Sequence, residues 1–329
     1  MRIYGLEEHM ATPEVVKAWK RADPGLAEPM MKWAVDSDVT HALLNLDDGR
    51  LAAMDDAGID TAVVSLTTPG LQNLPAAEAV ALQVATNDAI ASAVRRHPQH
   101  LQGFATLATP APHQAAAELR RAVVDLGLNG AMINARSGDF NVDAIEFWDI
   151  YEAAADLRAP IYLHPRAPRP AINEAYYKGF GEPVDALLAT GAIGWHFDAG
   201  LTLLRMITSG LFDRCPELQV ILGHWGEVVL FYLDRIAVLD RVTHLQRPLA
   251  EYFRSNVFIT PGGIASQKYL RWSVETVGVD RVMYGSDYPF NREHDGSVPA
   301  FLAAAGMTAA EQNSIASSNW ETLVAGIRR

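Results

Sequence analysis

Five side chains able to bind a metal or move a proton stand at the ends of short apolar runs: Glu7, His9, His164, His224 and Asp287. Carboxylate and imidazole are the ligands that borderline divalent ions such as Zn²⁺ and Mn²⁺ accept. An ion held with open positions becomes a Lewis acid or a water activator. Glu7 and His9 lie two apart in a strand-like run, and a period of two puts both on one face. His164 closes PIYLH, His224 follows QVILG, and Asp287 follows RVMYG. Singly, each has an ordinary explanation: a structural histidine, a solvated Glu7–Glu8 pair, a turn-forming aspartate before Pro289. Together they point to one shared site.

Other residues surround this set. His224 and Glu227 are three apart in HWGE; a helix beginning at Gly226 would put Glu227 in its first turn, where it could orient the imidazole. Arg166 in HPR offers a bidentate contact to a substrate carboxylate or a rim salt bridge. Asn134, Trp225 and Tyr288 are candidate substrate contacts beside the strand ends. His196 and Asp198 in GWHFDAG either enter the site or cap a helix, and capping is the favoured reading.

The elements that must position these groups alternate. Strand-like runs are predicted at Ile3–His9, Thr61–Leu66, Leu101–Leu107, Gly130–Asn134, Pro160–His164, Gln219–Gly223, Val257–Thr260 and Arg281–Gly285. Between them, AAEAVALQVATNDAIASAVRRHP and HQAAAELRRAVVDLG repeat apolar residues at helical spacing, the second with Gly127 as an expected C-cap. Eight such units predict a (β/α)8 TIM barrel, one domain over 1–329, rather than an open α/β sheet. No GxGxxG or Walker loop follows the first strand. In a barrel all the C-terminal strand ends meet at one mouth, which is where barrel enzymes place their chemistry. Residues 13–47 and 166–194 fit the repeat poorly and are expected to be βα insertions that roof the mouth.

Composition narrows the class. The 329 residues are 49% hydrophobic with a formal net charge of −12, which disfavours a nucleic-acid or anionic-membrane partner. No apolar stretch approaches the roughly 20 residues of a membrane span, and the first residues lack a signal-peptide core. A single cysteine, Cys215, excludes an intramolecular disulfide and is expected to be a structural residue; a cytoplasmic location is expected.

Several segments resemble the amidohydrolase superfamily: LEEH, RLAAMDDAGID, GLNGAMIN, IYLHPR, RMITSGLFDRCPELQVILGHWGE, DRVMYGSDYPF and NWETL. They span nearly the whole chain. The likeness is to the branch of non-oxidative aromatic-acid decarboxylases and aminocarboxymuconate-semialdehyde decarboxylase, nearest the γ-resorcylate decarboxylase group. This resemblance implies one divalent ion, Zn²⁺ or Mn²⁺, held by Glu7, His9, His164 and Asp287. It implies that His224, supported by Glu227, is a base or hydrogen-bond partner, and that Asp287 is also the proton donor. It implies a hydroxybenzoate-like substrate and a homodimer or homotetramer. In the decarboxylases the region matching 13–47 supplies an aromatic over the substrate, a part Trp19 or Trp33 could take here. Metal-dependent hydrolysis of an amide, lactone or ester would use almost the same residues, and a ligand-binding barrel without turnover is the third reading.

Overall fold

The computed structural model describes residues 1–22, 28–29 and 37–329, so Trp33 lies outside the described residues. Among the described residues seven parallel strand positions are formed: β1 (Tyr4–Met10), β2 (Thr61–Leu66), β3 (Leu101–Gly103 continuing as Ala105–Thr106), β4 (Ala131–Asn134), β5 (Ile161–His164), β6 (Val220–Leu222) and β7 (Val257–Ile259). β3 joins the two halves of the sheet at Phe104, whose N–H donates to Val64 while the next amide, Ala105, donates to Gly130. The eighth predicted strand is reduced to isolated bridges, Val282 to Ile259 on one side and Tyr288 to Glu8 on the other. Met283 N–H to Ile259 O (2.9 Å) and Leu6 N–H to Tyr284 O (3.1 Å) complete the closure. The eight-unit barrel expected from the sequence is therefore present, with its last staves held by few bonds.

Alternation along the strands divides the core. Tyr4, Leu6, Val63, Phe104, Met132, Tyr162, Ile221, Phe258 and Met283 fill the barrel interior, and Trp320 plugs one end. A larger apolar layer lies between the strands and the outer helices. His164, two residues beyond Tyr162, and Thr260, two beyond Phe258, continue the inward-facing rows with polar groups. Thus on β5 and β7 the period that packs the barrel floor carries polar side chains to its mouth, while on β1 a register shift between Gly5 and Glu8 changes the inward row from Tyr4 and Leu6 to Glu7 and His9.

The long predicted helices form at Ala76–Arg96 and Pro112–Val124. The second stops at Val124 and is capped by Asp125, so Gly127 (φ 75°) serves the turn into β4 and not the C-cap. The two insertions are not bare loops. Helices Pro13–Arg21 and Asp38–Leu44 occupy the first, and Pro170–Tyr176 and Glu182–Ala189 the second. Cys215 is buried in the core, where burial raises its thiol to about 11, as expected of a structural residue. Among the described residues no helix is long and apolar enough to cross a membrane.

Candidate metal centre

The mouth of the barrel brings Glu7, His9, His164 and Asp287 together, with one ligand atom from each within 4.8 Å of the others. His9 Nε2 lies 3.1 Å from Asp287 Oδ1, and His164 Nε2 lies 3.4 Å from Glu7 Oε1. Glu7 and His9 are wholly buried, yet Glu7 Oε1 and His9 Nε2 have no hydrogen-bond partner. Leaving such atoms unpaired costs about 1–3 kcal/mol each, and more for a charge, unless something else is bound there.

The neighbours prepare these atoms for a cation. His164 Nδ1 is 2.8 Å from the Pro165 carbonyl; donating its proton there leaves the Nε2 lone pair aimed at the cluster. Burial, with His9 and His224 beside it, drives the His164 ring well below its usual range, so it is neutral as a ligand must be. Glu7 Oε2 accepts from Tyr162 (2.6 Å), whose hydroxyl also meets Thr260 Oγ1 (2.7 Å). Burial pushes the Glu7 carboxyl up, with His224 opposing, a sign of an anion lacking full compensation. The donor set, two neutral-capable imidazoles and two carboxylates with vacant lone pairs, fits a borderline divalent ion.

His224 stands one step back from this set. Its Nε2 is 3.9 Å from Glu7 Oε1, and its Nδ1 is 2.7 Å from Glu227 Oε1. Burial disfavours the charged ring, but Glu227 and Glu7 outweigh it and raise His224 to about 10. The expected helix start at Gly226 is absent. His224, Trp225, Gly226, Glu227 and Val228 all have φ between 46° and 83°. This left-handed turn, not a right-handed helix with its dipole, brings Glu227 to His224. A run of non-glycine residues at positive φ stores strain and persists only where surroundings enforce it.

Other expectations need correction. His196 and Asp198 lie inside the helix Gly194–Thr208 and do not cap it; His196 Nδ1 is 2.8 Å from Glu227 Oε2. Arg166 is buried and does not line the cavity, its Nη1 donating to the Arg136 carbonyl (3.2 Å), and burial beside Arg136 lowers it to about 10. It faces Glu28, whose carboxylate accepts from Ala167 N–H and from the Trp195 indole (2.8 Å). Trp225 is 1% exposed, with its indole donating to Ile264 O (2.8 Å); it is a core residue. The Tyr288 ring lies under the Arg50 guanidinium, 4.4 Å from its centroid, outside the cavity wall. Asn134 binds Gln72 through its main chain and does not border the cavity. Trp19 donates to Gly70 O (2.7 Å) within the core, so it does not cover the mouth. Glu8, far from being solvated, is buried and accepts from Ser286 N–H and Oγ.

The cavity at the cluster has a volume of about 320 Å³. His9, His164, His224 and Asp287 form its floor; Leu187, Trp195, Ile264 and Phe290 supply apolar walls, with Thr68, His196 and Asn291 between them. Asn291 Nδ2 donates to Asp287 Oδ2 (2.7 Å). Trp195, Phe290 and Asn291 were not singled out from the sequence. Only their adjacency to motif residues marked them, and adjacency does not tell a wall from a core residue.

A barrel with a histidine–carboxylate cluster at its C-terminal mouth defines a metal-dependent barrel enzyme of the amidohydrolase type. Residues 16–323 match the amidohydrolase family, and the chain belongs to it. It is similar to decarboxylase orsB of Emericella nidulans, with 36% identity covering 77% of each chain. It is similar over 97% of each chain to the γ-resorcylate decarboxylase of Rhodococcus jostii, at 32% identity. The crystal structure of a dihydroxybenzoic acid decarboxylase from Polaromonas, containing manganese and the inhibitor 2-nitroresorcinol, superposes with a TM-score of 0.85 at 28% identity. That alignment covers 98% of this chain and 97% of the other.

Proposed function

We propose that this chain is a metal-dependent, non-oxidative decarboxylase of a hydroxybenzoate-like aromatic acid. The single observation that carries the reading is the pair of buried, partnerless donors Glu7 Oε1 and His9 Nε2 facing His164 and Asp287 under an apolar cavity. The named activities of its relatives support the same class. Glu7, His9, His164 and Asp287 hold one divalent ion, manganese or zinc. When bound, that ion supplies the positive charge that holds a carboxylate and its ortho oxygen in one orientation.

The chain's own residues do the rest. Trp195 and Phe290 sandwich or abut an aromatic ring and keep water from it. Asp287 delivers a proton to the ring carbon that bears the carboxylate. The bond to the carboxylate then breaks, its electron pair returns to the ring, and CO₂ leaves. Asp287 regains its proton from water. His224, oriented by Glu227 and held protonated, donates a hydrogen bond to the ortho oxygen and keeps that oxygen in place. The whole chain, 1–329, acts as one domain, in the cytoplasm, as a homodimer or homotetramer on a small-molecule acid.

The test is metal analysis of the purified protein, followed by a CO₂-release screen over mono- and dihydroxybenzoates. A stoichiometric ion with release from at least one acid is expected. Hydrolysis of amides, lactones or esters without CO₂ release would refute the reading.

A further inference from the structure

The helix Gly194–Thr208 lies against the strained turn at 224–228, and two of its residues one turn apart make the contact. At Gly200 even a methyl group would sit 2.3 Å from the Glu227 carbonyl oxygen, so only glycine allows this approach. At His196, Nδ1 is 2.8 Å from Glu227 Oε2 and Nε2 is 3.0 Å from Gly191 O. The Nδ1 proton is the one an ionised Glu227 accepts, so Nδ1 donates to Oε2. With Nδ1 turned to Glu227, His196 borders the cavity without aiming that nitrogen into it. Its ring lies 4.6 Å from that of His224. Each Glu227 oxygen thus holds one imidazole: Oε1 that of His224, Oε2 that of His196.

We propose that His196 is a positioning residue for His224, acting through Glu227. A carboxylate with one partner can rotate about its last bond; one anchored through both oxygens cannot. With Oε2 held, Oε1 stays where it fixes the His224 ring with Nε2 toward Glu7 and the cavity. The same bond opposes unwinding of the left-handed turn, whose non-glycine residues are held at positive φ. The inference rests on the proposed role of His224 at the substrate.

The experiment compares His196→Asn and His196→Gln with wild type. The asparagine amide takes the place of Nδ1 and can still donate to Glu227; the glutamine amide takes the place of Nε2 and cannot. His196→Gln is expected to lower kcat about tenfold, with KM and bound metal within about twofold of wild type, as for loss of an outer-shell partner. His196→Asn is expected to recover most of that loss at an equal melting temperature. An equal loss in both variants, or in neither, would overturn the proposal. Long-range ¹H–¹⁵N spectra of the metal-free protein give a readout independent of turnover. His224 ring-nitrogen shifts should move in His196→Gln and stay in His196→Asn. If wild type releases no CO₂, the decarboxylase reading fails by itself, and unmoved His224 shifts in His196→Gln would then sink the positioning role separately.

Discussion

Replacing Glu7 with Gln separates the cost of a buried carboxylate from its use as a ligand, because the two effects have opposite signs. In the metal-free protein Glu7 is wholly buried and burial raises its pKa, so neutralising it is expected to leave the fold unharmed or more stable. In the loaded protein the same change removes an anionic ligand. Unfolding entropy of about 2.1 cal/mol/K per residue gives roughly 0.7 kcal/mol/K for 329 residues. An ion present at about a thousand times its Kd stabilises by about 4.1 kcal/mol, which raises Tm by about 6 °C. If the glutamine weakens binding about a hundredfold, the same ion concentration contributes about 1.4 kcal/mol, or about 2 °C. The assay is scanning calorimetry of chelator-stripped wild type and Glu7→Gln, each titrated with Mn²⁺ or Zn²⁺. The expected pattern is a metal-free Tm in the variant at or above that of wild type, and a metal-induced rise cut to about a third. An undiminished rise in the variant would show that Glu7 Oε1 is not a ligand and would refute the reasoning.

Asp287→Asn should lower CO₂ release by at least about a hundredfold while substrate still binds, as loss of a proton donor requires; calorimetric binding and turnover on the same sample check it. His224, raised to about 10, contributes stability that is fully present below about pH 6.5 and lost as pH rises through about 10. The Tm advantage of metal-free wild type over Glu227→Gln should therefore be largest near pH 6 and shrink by pH 10; a constant gap would contradict it. Gly200→Ala drives a methyl group against the Glu227 carbonyl and Val229, which costs about 1–3 kcal/mol. A Tm lower by about 1.5–4 °C and a fall in kcat are expected, and unchanged kinetics would show that the helix does not brace the turn.

Much of the site was legible in the chain because barrel geometry translates strand ends into a place. Alternation paired Glu7 with His9, and the parallel sense of the strands grouped them with His164 and Asp287; the register shift on β1 that turns Glu7 and His9 inward after Leu6 left no mark in the sequence. Glu227 was paired correctly with His224 from its spacing, but for the wrong reason: three residues apart suggested a right-handed helix, whereas the backbone takes a left-handed turn. Positive φ at His224, Trp225 and Glu227 runs against local preference, and the helix Gly194–Thr208 packed on that turn lies across a long sequence separation.

The substrate-facing assignments show the same division. Arg166, Asn134, Trp225 and Tyr288 stand beside motif residues in the chain, but adjacency in sequence does not place a side chain on the cavity wall. Arg166 ends beside Arg136 and Glu28, Tyr288 under Arg50, and Trp225 in the core. The sequence by itself determined the barrel, the candidate donor types and their convergence, since these follow from strand order and donor chemistry. Only the tertiary structure decided which neighbours line the cavity and which histidine meets which carboxylate, because those depend on how Leu187, Trp195 and His196 pack against the strand ends, and no local pattern encodes that contact.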